Sequence, residues 1–152
     1  MAQILIVDDE PDVCTVMRRA LEAAGHAVDV AHDGAVAVGM CRASAPDLMV
    51  LDLFMPNCDG IETMIALNRA AIGVKIVVIS GGGLWESSRF LKIAQMLGAA
   101  IVLAKPIPLA VLIDTVEYLL APEDAGGESP VAVGMGDLQP DFTQQHGLLS
   151  VS

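Results

Sequence analysis

Four short apolar segments of this chain each lead into a chemically reactive side chain. The segments and the residues that follow them are Ile4–Val7 before Asp8 and Asp9, Leu48–Leu51 before Asp52, Ile76–Ile79 before Ser80, and Ile101–Ala104 before Lys105. Such runs are typical of strands buried in a parallel sheet. The carboxyl ends of parallel strands lie along one edge of a sheet, where ligands bind. We therefore expect these side chains to meet in one crevice.

The three carboxylates of this group predict a site for a divalent cation. Two unit charges ~4 Å apart repel by about 4 kcal/mol at an effective dielectric of roughly 20, so Asp8, Asp9 and Asp52 must share protons or hold a cation. Carboxylate oxygens are hard ligands, which favour Mg²⁺. Asp8 and Asp9 form a pair suited to a metal, whereas Asp52 stands alone at the end of a middle strand. This placement makes Asp52 the candidate nucleophile.

The other groups at this edge favour an anionic substrate. Lys105 adds a compact positive charge that suits a phosphoryl oxygen, and the Ser80 hydroxyl can donate a hydrogen bond to another oxygen. The backbone amide of Gly81 is not shielded by a side chain. Together these groups predict transfer of a phosphoryl group onto a carboxylate, with Asp52, Lys105 and Ser80 as the catalytic residues.

The sequence around these residues repeats a strand followed by a helix. The predicted strands are Gln3–Val7, Val28–Ala31, Leu48–Leu51, Lys75–Ile79 and Ile101–Ala104, and the predicted helices are Pro11–Ala24, Gly34–Ala43, Ile61–Arg69, Ser87 or Ser88 to Leu97, and Pro108–Leu120. The apolar spacing and the flanking Gly, Pro and Asp residues set these limits. Five such units predict an α/β fold, a doubly wound five-stranded parallel sheet with helices on both faces.

The strand order decides which strand ends can share a site. In the order 2-1-3-4-5, the ends of strands 1, 3, 4 and 5 are contiguous and strand 2 lies outside them. His32 follows the second predicted strand. It is therefore not expected to act in catalysis.

Composition and charge narrow the class of protein. Of 152 residues, 54% are apolar, yet no uninterrupted apolar stretch approaches the ~18 residues of a membrane span. No signal peptide is visible, so we expect a soluble cytoplasmic protein. The net charge of -11 disfavours direct binding to nucleic acid. The spacing of Cys14, Cys41 and Cys58 fits no metal motif, and their odd number predicts reduced thiols.

The chain divides by composition at about residue 120. Residues 3–120 carry the predicted strands and helices and are expected to form one domain. Residues 121–152 contain many Gly and Pro residues, five acidic residues and no Lys or Arg. This composition predicts a mobile acidic tail.

The order and spacing of the reactive residues resemble those of a known family. The matching features are the pair Asp8-Asp9, Asp52 with Met55-Pro56 and Asp59-Gly60 behind it, Ser80, and Lys105-Pro106. Over residues 3–120 the chain resembles the receiver domain of two-component response regulators. The resemblance implies a flavodoxin-like fold and a site for Mg²⁺.

The same resemblance implies a role for each residue of the site. Asp52 would accept the phosphoryl group, and Asp9, Asp52 and the backbone carbonyl of Phe54 would bind Mg²⁺ directly. Asp8 would act on the metal through water. Lys105 would pair with the phosphoryl group.

The resemblance further implies a signalling function. Ser80 would turn toward the phosphoryl group, whose donor would be a histidine kinase or a histidine phosphotransfer protein. The expected protein is a single-domain response regulator that signals by contact with a downstream protein target. It would catalyse only its own phosphorylation and dephosphorylation.

The chain departs from the family pattern at Val102, where many receivers carry a Tyr or Phe that rotates with the hydroxyl residue. Aromatic switching is therefore not expected. We expect residues 80–98, which include three consecutive glycines, to carry the conformational response.

Two other classes of function use some of the same residues. Phosphohydrolases of the haloacid-dehalogenase type also combine an Asp nucleophile with Mg²⁺, a Ser or Thr and a Lys. They typically place a second Asp two residues after the nucleophile, where this chain has Phe54. A receiver-like interaction module that is never phosphorylated is the other alternative, and the presence of Asp9, Asp52 and Lys105 argues against it.

Overall fold

The computed structural model describes residues 1–55, 59–81, 89 and 92–122. The strands are β1 (Gln3–Val7), β2 (Ala27–Ala31), β3 (Leu48–Asp52), β4 (Lys75–Ser80) and β5 (Ile101–Ala104). The helices are α1 (Pro11–Ala23), α2 (Gly34–Ala43), α3 (Gly60–Arg69), α4 (helical residues 92–96) and α5 (Leu109–Leu120).

The five strands form one parallel sheet in the order β2-β1-β3-β4-β5. The predicted fold class and strand order are thereby confirmed. Pairing of Asp52 with Ile79 and of Ser80 with Ala104 aligns the ends of β3, β4 and β5. The reactive residues therefore lie along one edge of the sheet.

Helices cover both faces of the sheet. On one face, buried residues of α1 and α5 pack against the sheet, including Leu21 and Leu112. On the other face, buried residues of α2, α3 and α4 do the same, including Met64 and Ala94. All five residues of β3 are buried because the strand lies in the middle of the sheet with helices on either side.

Local sequence signals explain where the helices begin. Pro11 opens α1, which suits its fixed φ angle and missing N–H group. The Asp33 carboxylate accepts a hydrogen bond from the backbone N–H of Val36 and caps α2. Asp59 caps α3 in the same way through Glu62.

Most predicted element limits agree with the structure to within one residue. The largest functional difference is that Asp52 and Ser80 are the last residues of β3 and β4 rather than the first residues after them. Ser87, Ser88 and the glycines after Gly81 lie outside the described residues, as does most of the predicted tail at 121–152.

Two further predictions concern thiols and membranes. Cys14 and Cys41 are free and buried, as expected for reduced thiols, while Cys58 lies outside the described residues. In the part of the chain that the structure describes, no helix has both the length and the apolar character of a membrane span.

Candidate functional site

The carboxylates of Asp8, Asp9 and Asp52 form a compact cluster at the carboxyl edge of the sheet. One oxygen from each lies within 4.8 Å of the others. Asp8 and Asp52 are only 1% and 4% exposed, whereas Asp9 is half-buried. Three carboxylates this close repel unless a cation or protons neutralise them. The cluster therefore fits a hard divalent cation such as Mg²⁺, with oxygen ligands and an opening toward solvent at Asp9.

Lys105 brings a positive charge to this cluster. Its ammonium nitrogen Nζ lies 3.3 Å from Oδ2 of Asp8 and 3.3 Å from Oδ2 of Asp52. Burial lowers the pKa of Lys105, but the charges of Asp52 and Asp8 outweigh it and raise the pKa above its usual value. Lys105 therefore stays protonated and holds the two carboxylates together.

The alkyl chain of Lys105 lies close against Gly81. A Cβ atom at Gly81 would lie 3.0 Å from Cδ of Lys105 and 3.3 Å from its Cβ. The backbone N–H of Lys105 also donates a hydrogen bond to the carbonyl of Ser80, at 2.8 Å. The missing side chain at Gly81 thus gives the lysine room to reach the carboxylates.

Asp52 combines burial with contacts that favour its charged form. Burial raises the pKa of its carboxyl group, the Lys105 charge opposes this, and the Asp8 charge adds to it, leaving the pKa above the ordinary value. The backbone N–H of Phe54 donates to Oδ1 of Asp52 at 3.2 Å. Its two oxygens thus have different neighbours, an amide at Oδ1 and the lysine at Oδ2.

Ser80 lies at the end of β4 and is 4% exposed. Its hydroxyl oxygen has no hydrogen-bond partner among the described residues. A buried hydroxyl without a partner costs about 1–3 kcal/mol. Ser80 therefore has a free donor for an added oxygen atom.

The loop after β3 is only partly described. Phe54 is half-buried and packs against the hydrophobic core on the α2 and α3 face of the sheet. Residues 56–58 lie outside the described part of the chain. The role of the Phe54 carbonyl as a metal ligand stays a prediction. Gly60 lies against this loop, since a Cβ there would be 2.6 Å from the carbonyl oxygen of Asp52.

Asp8 is held by more partners than the sequence predicts. Its carboxylate accepts hydrogen bonds from the backbone N–H of Glu10 and from Lys105. Its backbone carbonyl is contacted by Sγ of Cys14 at 3.3 Å and by Nδ1 of His32 at 3.2 Å. His32 therefore contacts the backbone of the site, although β2 lies outside the row formed by the ends of β1, β3, β4 and β5.

An apolar groove adjoins the site between α1 and α5. Its volume is about 600 Å³, and its walls include Val16, Met17 and Leu112. Lys105 lines one part of it, and Glu10 also contributes. The groove is thus a concave apolar surface next to the carboxylate cluster.

Comparison with known proteins identifies the family. The family model described as the response regulator receiver domain matches residues 4–117. The response regulator MprA of Mycobacterium bovis (strain BCG / Pasteur 1173P2) is 34% identical over 143 residues, and the match covers 91% of this chain and 60% of MprA. MprA of Mycobacterium avium (strain 104) is 36% identical, with the same coverage. The chain thus spans about 60% of the length of these relatives.

Solved structures agree with this result. FixJ-N is 26% identical with a TM-score of 0.70, and the match covers 78% of this chain and 93% of FixJ-N. NtrX of Brucella abortus is 29% identical with a TM-score of 0.71, over 78% of this chain and 27% of NtrX. Chemotaxis protein CheY4 of Vibrio cholerae, 24% identical with a TM-score of 0.69, shares the fold over 79% of this chain and 99% of CheY4.

The parallel sheet and the carboxylate cluster at its edge are those of a signalling domain of the receiver class. The chain belongs to the response regulator receiver domain family. Receiver domains function in two-component signalling, and they bind Mg²⁺ at an acidic cluster of the kind formed here by Asp8, Asp9 and Asp52.

Proposed function

We propose that this protein is a phosphorylation switch in which Asp52 accepts a phosphoryl group from a histidine kinase or a histidine phosphotransfer protein. The observation that carries the proposal is the position of Oδ2 of Asp52, 3.3 Å from Nζ of Lys105 within the carboxylate cluster. A carboxylate in this position has both a positive charge and a cation site beside the place where an incoming phosphoryl group would lie.

Transfer to Asp52 forms an acyl phosphate. One carboxylate oxygen of Asp52 attacks phosphorus, and the bond between phosphorus and the donor histidine nitrogen breaks. The electron pair of that bond stays on the imidazole, which takes up a proton. Bound Mg²⁺, held directly by Asp9, Asp52 and the Phe54 carbonyl and through water by Asp8, would supply positive charge that offsets the phosphoryl oxygens.

Lys105 and Ser80 are proposed to bind the transferred group. The Lys105 ammonium already faces Asp52 and can move onto a phosphoryl oxygen while remaining protonated. The buried Ser80 hydroxyl can donate to a second phosphoryl oxygen, which would give it the partner that it lacks among the described residues. Pairing of Ser80 is the proposed link between phosphorylation and the rest of the fold.

The donor is proposed to be a protein that docks in the apolar groove between α1 and α5. A histidine that reaches Asp52 must bring the surface around it close to Glu10 and Lys105, which line this groove. We propose residues 3–120 as the signalling unit and residues 121–152 as an acidic tail. The output is proposed to be contact with another protein in the cytoplasm, because a net charge of -11 opposes approach to nucleic acid.

Mass spectrometry after incubation with acetyl phosphate and Mg²⁺ tests the proposal. We expect the mass of one phosphoryl group to be added to the wild-type protein and to Asp29→Asn, a control at an exposed position of β2. We expect no addition in Asp52→Asn or in wild-type protein treated with EDTA.

Other results would favour the other classes of function. Continuous release of phosphate from many phosphate esters would favour a hydrolase of the haloacid-dehalogenase type. An unmodified wild-type protein would favour a module that acts without phosphorylation.

A further inference from the structure

Two side chains that the proposed reaction does not use converge on the backbone carbonyl of Asp8. Cys14 reaches it from α1 with Sγ at 3.3 Å, and His32 reaches it from the end of β2 with Nδ1 at 3.2 Å. Sγ and Nδ1 are themselves 4.0 Å apart. One oxygen atom therefore joins three elements, β1, α1 and β2.

Both groups act as donors in this arrangement. A carbonyl oxygen only accepts hydrogen bonds, so the close approach of Nδ1 requires the hydrogen of the His32 ring at that nitrogen. The Cys14 thiol in its ordinary neutral form carries an S–H hydrogen, and at 3.3 Å from an oxygen that only accepts it acts as the donor. The carbonyl oxygen has two lone pairs and can accept from both.

This carbonyl belongs to the peptide group that joins Asp8 to Asp9. The Asp8 carboxylate is held directly, by the N–H of Glu10 and by Lys105. Among the described residues, no group donates a hydrogen bond to the Asp9 carboxylate. The direction of the Asp9 side chain therefore depends on the orientation of its backbone.

We propose that Cys14 and His32 are positioning residues that hold the Asp8–Asp9 peptide and keep the Asp9 carboxylate in place for Mg²⁺. The effect on Mg²⁺ rests on the proposed function, whereas the effect on the peptide does not. Groups that orient metal ligands without touching the metal typically change metal affinity by about 10–100-fold.

Six variants separate this role from ordinary packing. Cys14→Ala and His32→Leu each remove one donor, and we combine them in a double variant. Cys14→Ser restores a hydroxyl donor, and His32→Asn restores an amide N–H near the place of Nδ1. Cys41→Ala is the matched control, because Cys41 is 3% exposed and Cys14 is 2% exposed, and Cys41 lies in the cluster on the opposite face.

Two measurements are made on each variant. The backbone order parameter of the Asp9 amide is determined by ¹⁵N relaxation in EDTA, and the dissociation constant for Mg²⁺ by calorimetry. We expect the order parameter to fall from about 0.85 toward 0.6 in the double variant. We expect the dissociation constant for Mg²⁺ to rise about tenfold. Cys14→Ser and His32→Asn should move both values back toward wild type, and Cys41→Ala should lose stability without changing either.

Two other outcomes would overturn the positioning role, and a third would overturn the proposed function instead. An Asp9 order parameter that is unchanged in the double variant would overturn the positioning role, even if the wild-type protein binds Mg²⁺ normally. Equal weakening of Mg²⁺ binding by Cys41→Ala would overturn it as well, because the effect would then be general loss of packing. Failure of wild-type protein to bind Mg²⁺ would instead overturn the proposed function, and the order parameter would still decide whether the peptide is held.

Discussion

Ser80 and Asp52 show how single residues of this site are poised for an added group. Burial favours the neutral form of the Asp52 carboxyl group, while the Lys105 ammonium favours the charged form. The Ser80 hydroxyl lies in the same crevice without a partner among the described residues. A bound cation would therefore stabilise the charged form of Asp52, and a phosphoryl oxygen would give the Ser80 hydroxyl a hydrogen-bond acceptor.

Replacement of Ser80 by alanine tests this interpretation. Because Ser80→Ala removes a buried hydroxyl that has no partner among the described residues, we expect the free energy of unfolding of the metal-free protein to rise by about 1 kcal/mol. With Mg²⁺ and beryllofluoride, which mimics the phosphoryl group, we expect the variant to gain less stability than wild type. Chemical denaturation under both conditions measures the two effects.

Ser80→Thr is the control, since it keeps the hydroxyl. It should show the wild-type gain in stability on adding beryllofluoride. A Ser80→Ala protein that is less stable than wild type without metal would show that the hydroxyl is already paired.

Among the elements, the start of α3 is tied most closely to the site. Gly60 donates its N–H to the carbonyl of Leu53 at 3.0 Å, and a Cβ at Gly60 would lie 2.7 Å from Cα of Leu53. The helix therefore rests directly on the backbone that follows β3. The carbonyl oxygen of Asp52 would lie 2.6 Å from the same Cβ, so a side chain at Gly60 would press on the backbone of Asp52 as well.

Gly60→Ala should therefore reduce both stability and phosphorylation. The added methyl group meets backbone atoms that cannot rotate away, so we expect a loss of about 1–3 kcal/mol in the free energy of unfolding. We expect slower phosphorylation of Asp52 by acetyl phosphate at a temperature where the variant is folded. Chemical denaturation and timed mass spectrometry measure the two changes.

Gly39→Ala is the matched control within α2. Among the described residues, a Cβ built at Gly39 meets no atom within 4 Å beyond its own stretch of helix backbone, so the same substitution should raise helix stability by about 0.5–1 kcal/mol. Its phosphorylation rate should equal that of wild type. Equal behaviour of the two alanine variants would contradict a tight contact at Gly60.

The limits of the elements were predictable where the sequence pattern is strong. The apolar run before Asp52 predicts β3, because a strand covered on both faces needs no polar residue inside it. β2 begins at Ala27, one residue earlier than predicted, since this outer strand has exposed positions such as Asp29 and a weaker pattern. The placement of Asp52, Ser80 and Lys105 at one edge follows from parallel strands alone.

Contacts between distant side chains were not predictable in the same way. Cys14 and His32 meet at Asp8 only because β2 pairs with β1 and α1 packs over both, and no pattern in either segment indicates this. The tight contact of Gly60 with β3 likewise depends on the three-dimensional path of the loop. Sequence periodicity predicts which face of a helix or strand a residue lies on. It does not predict which residues of two different elements come into contact.

On the scale of the whole molecule, the two faces of the sheet differ in what they expose near the site. The α1 and α5 face has the apolar groove beside Lys105, and Val16 lies in its wall with 51% of its surface exposed. Val36 of α2 is also 51% exposed but does not line that groove. A protein donor that covers the groove would bury Val16 and leave Val36 free.

Val16→Glu should therefore slow phosphorylation by a protein donor while leaving phosphorylation by acetyl phosphate unchanged. A charge placed in an apolar contact weakens binding, and a loss of about 1.4 kcal/mol in binding free energy corresponds to about tenfold weaker binding. We expect the transfer rate at low donor concentration to fall by at least this factor. The measurement is transfer from a phosphorylated histidine phosphotransfer protein that phosphorylates the wild-type chain. Val36→Glu adds the same charge at equal exposure and should transfer at the wild-type rate. An equal decrease in transfer rate in the two variants would mean that the added negative charge, and not its position in the groove, slows the approach of the donor. The proposal that the donor docks between α1 and α5 would then be wrong.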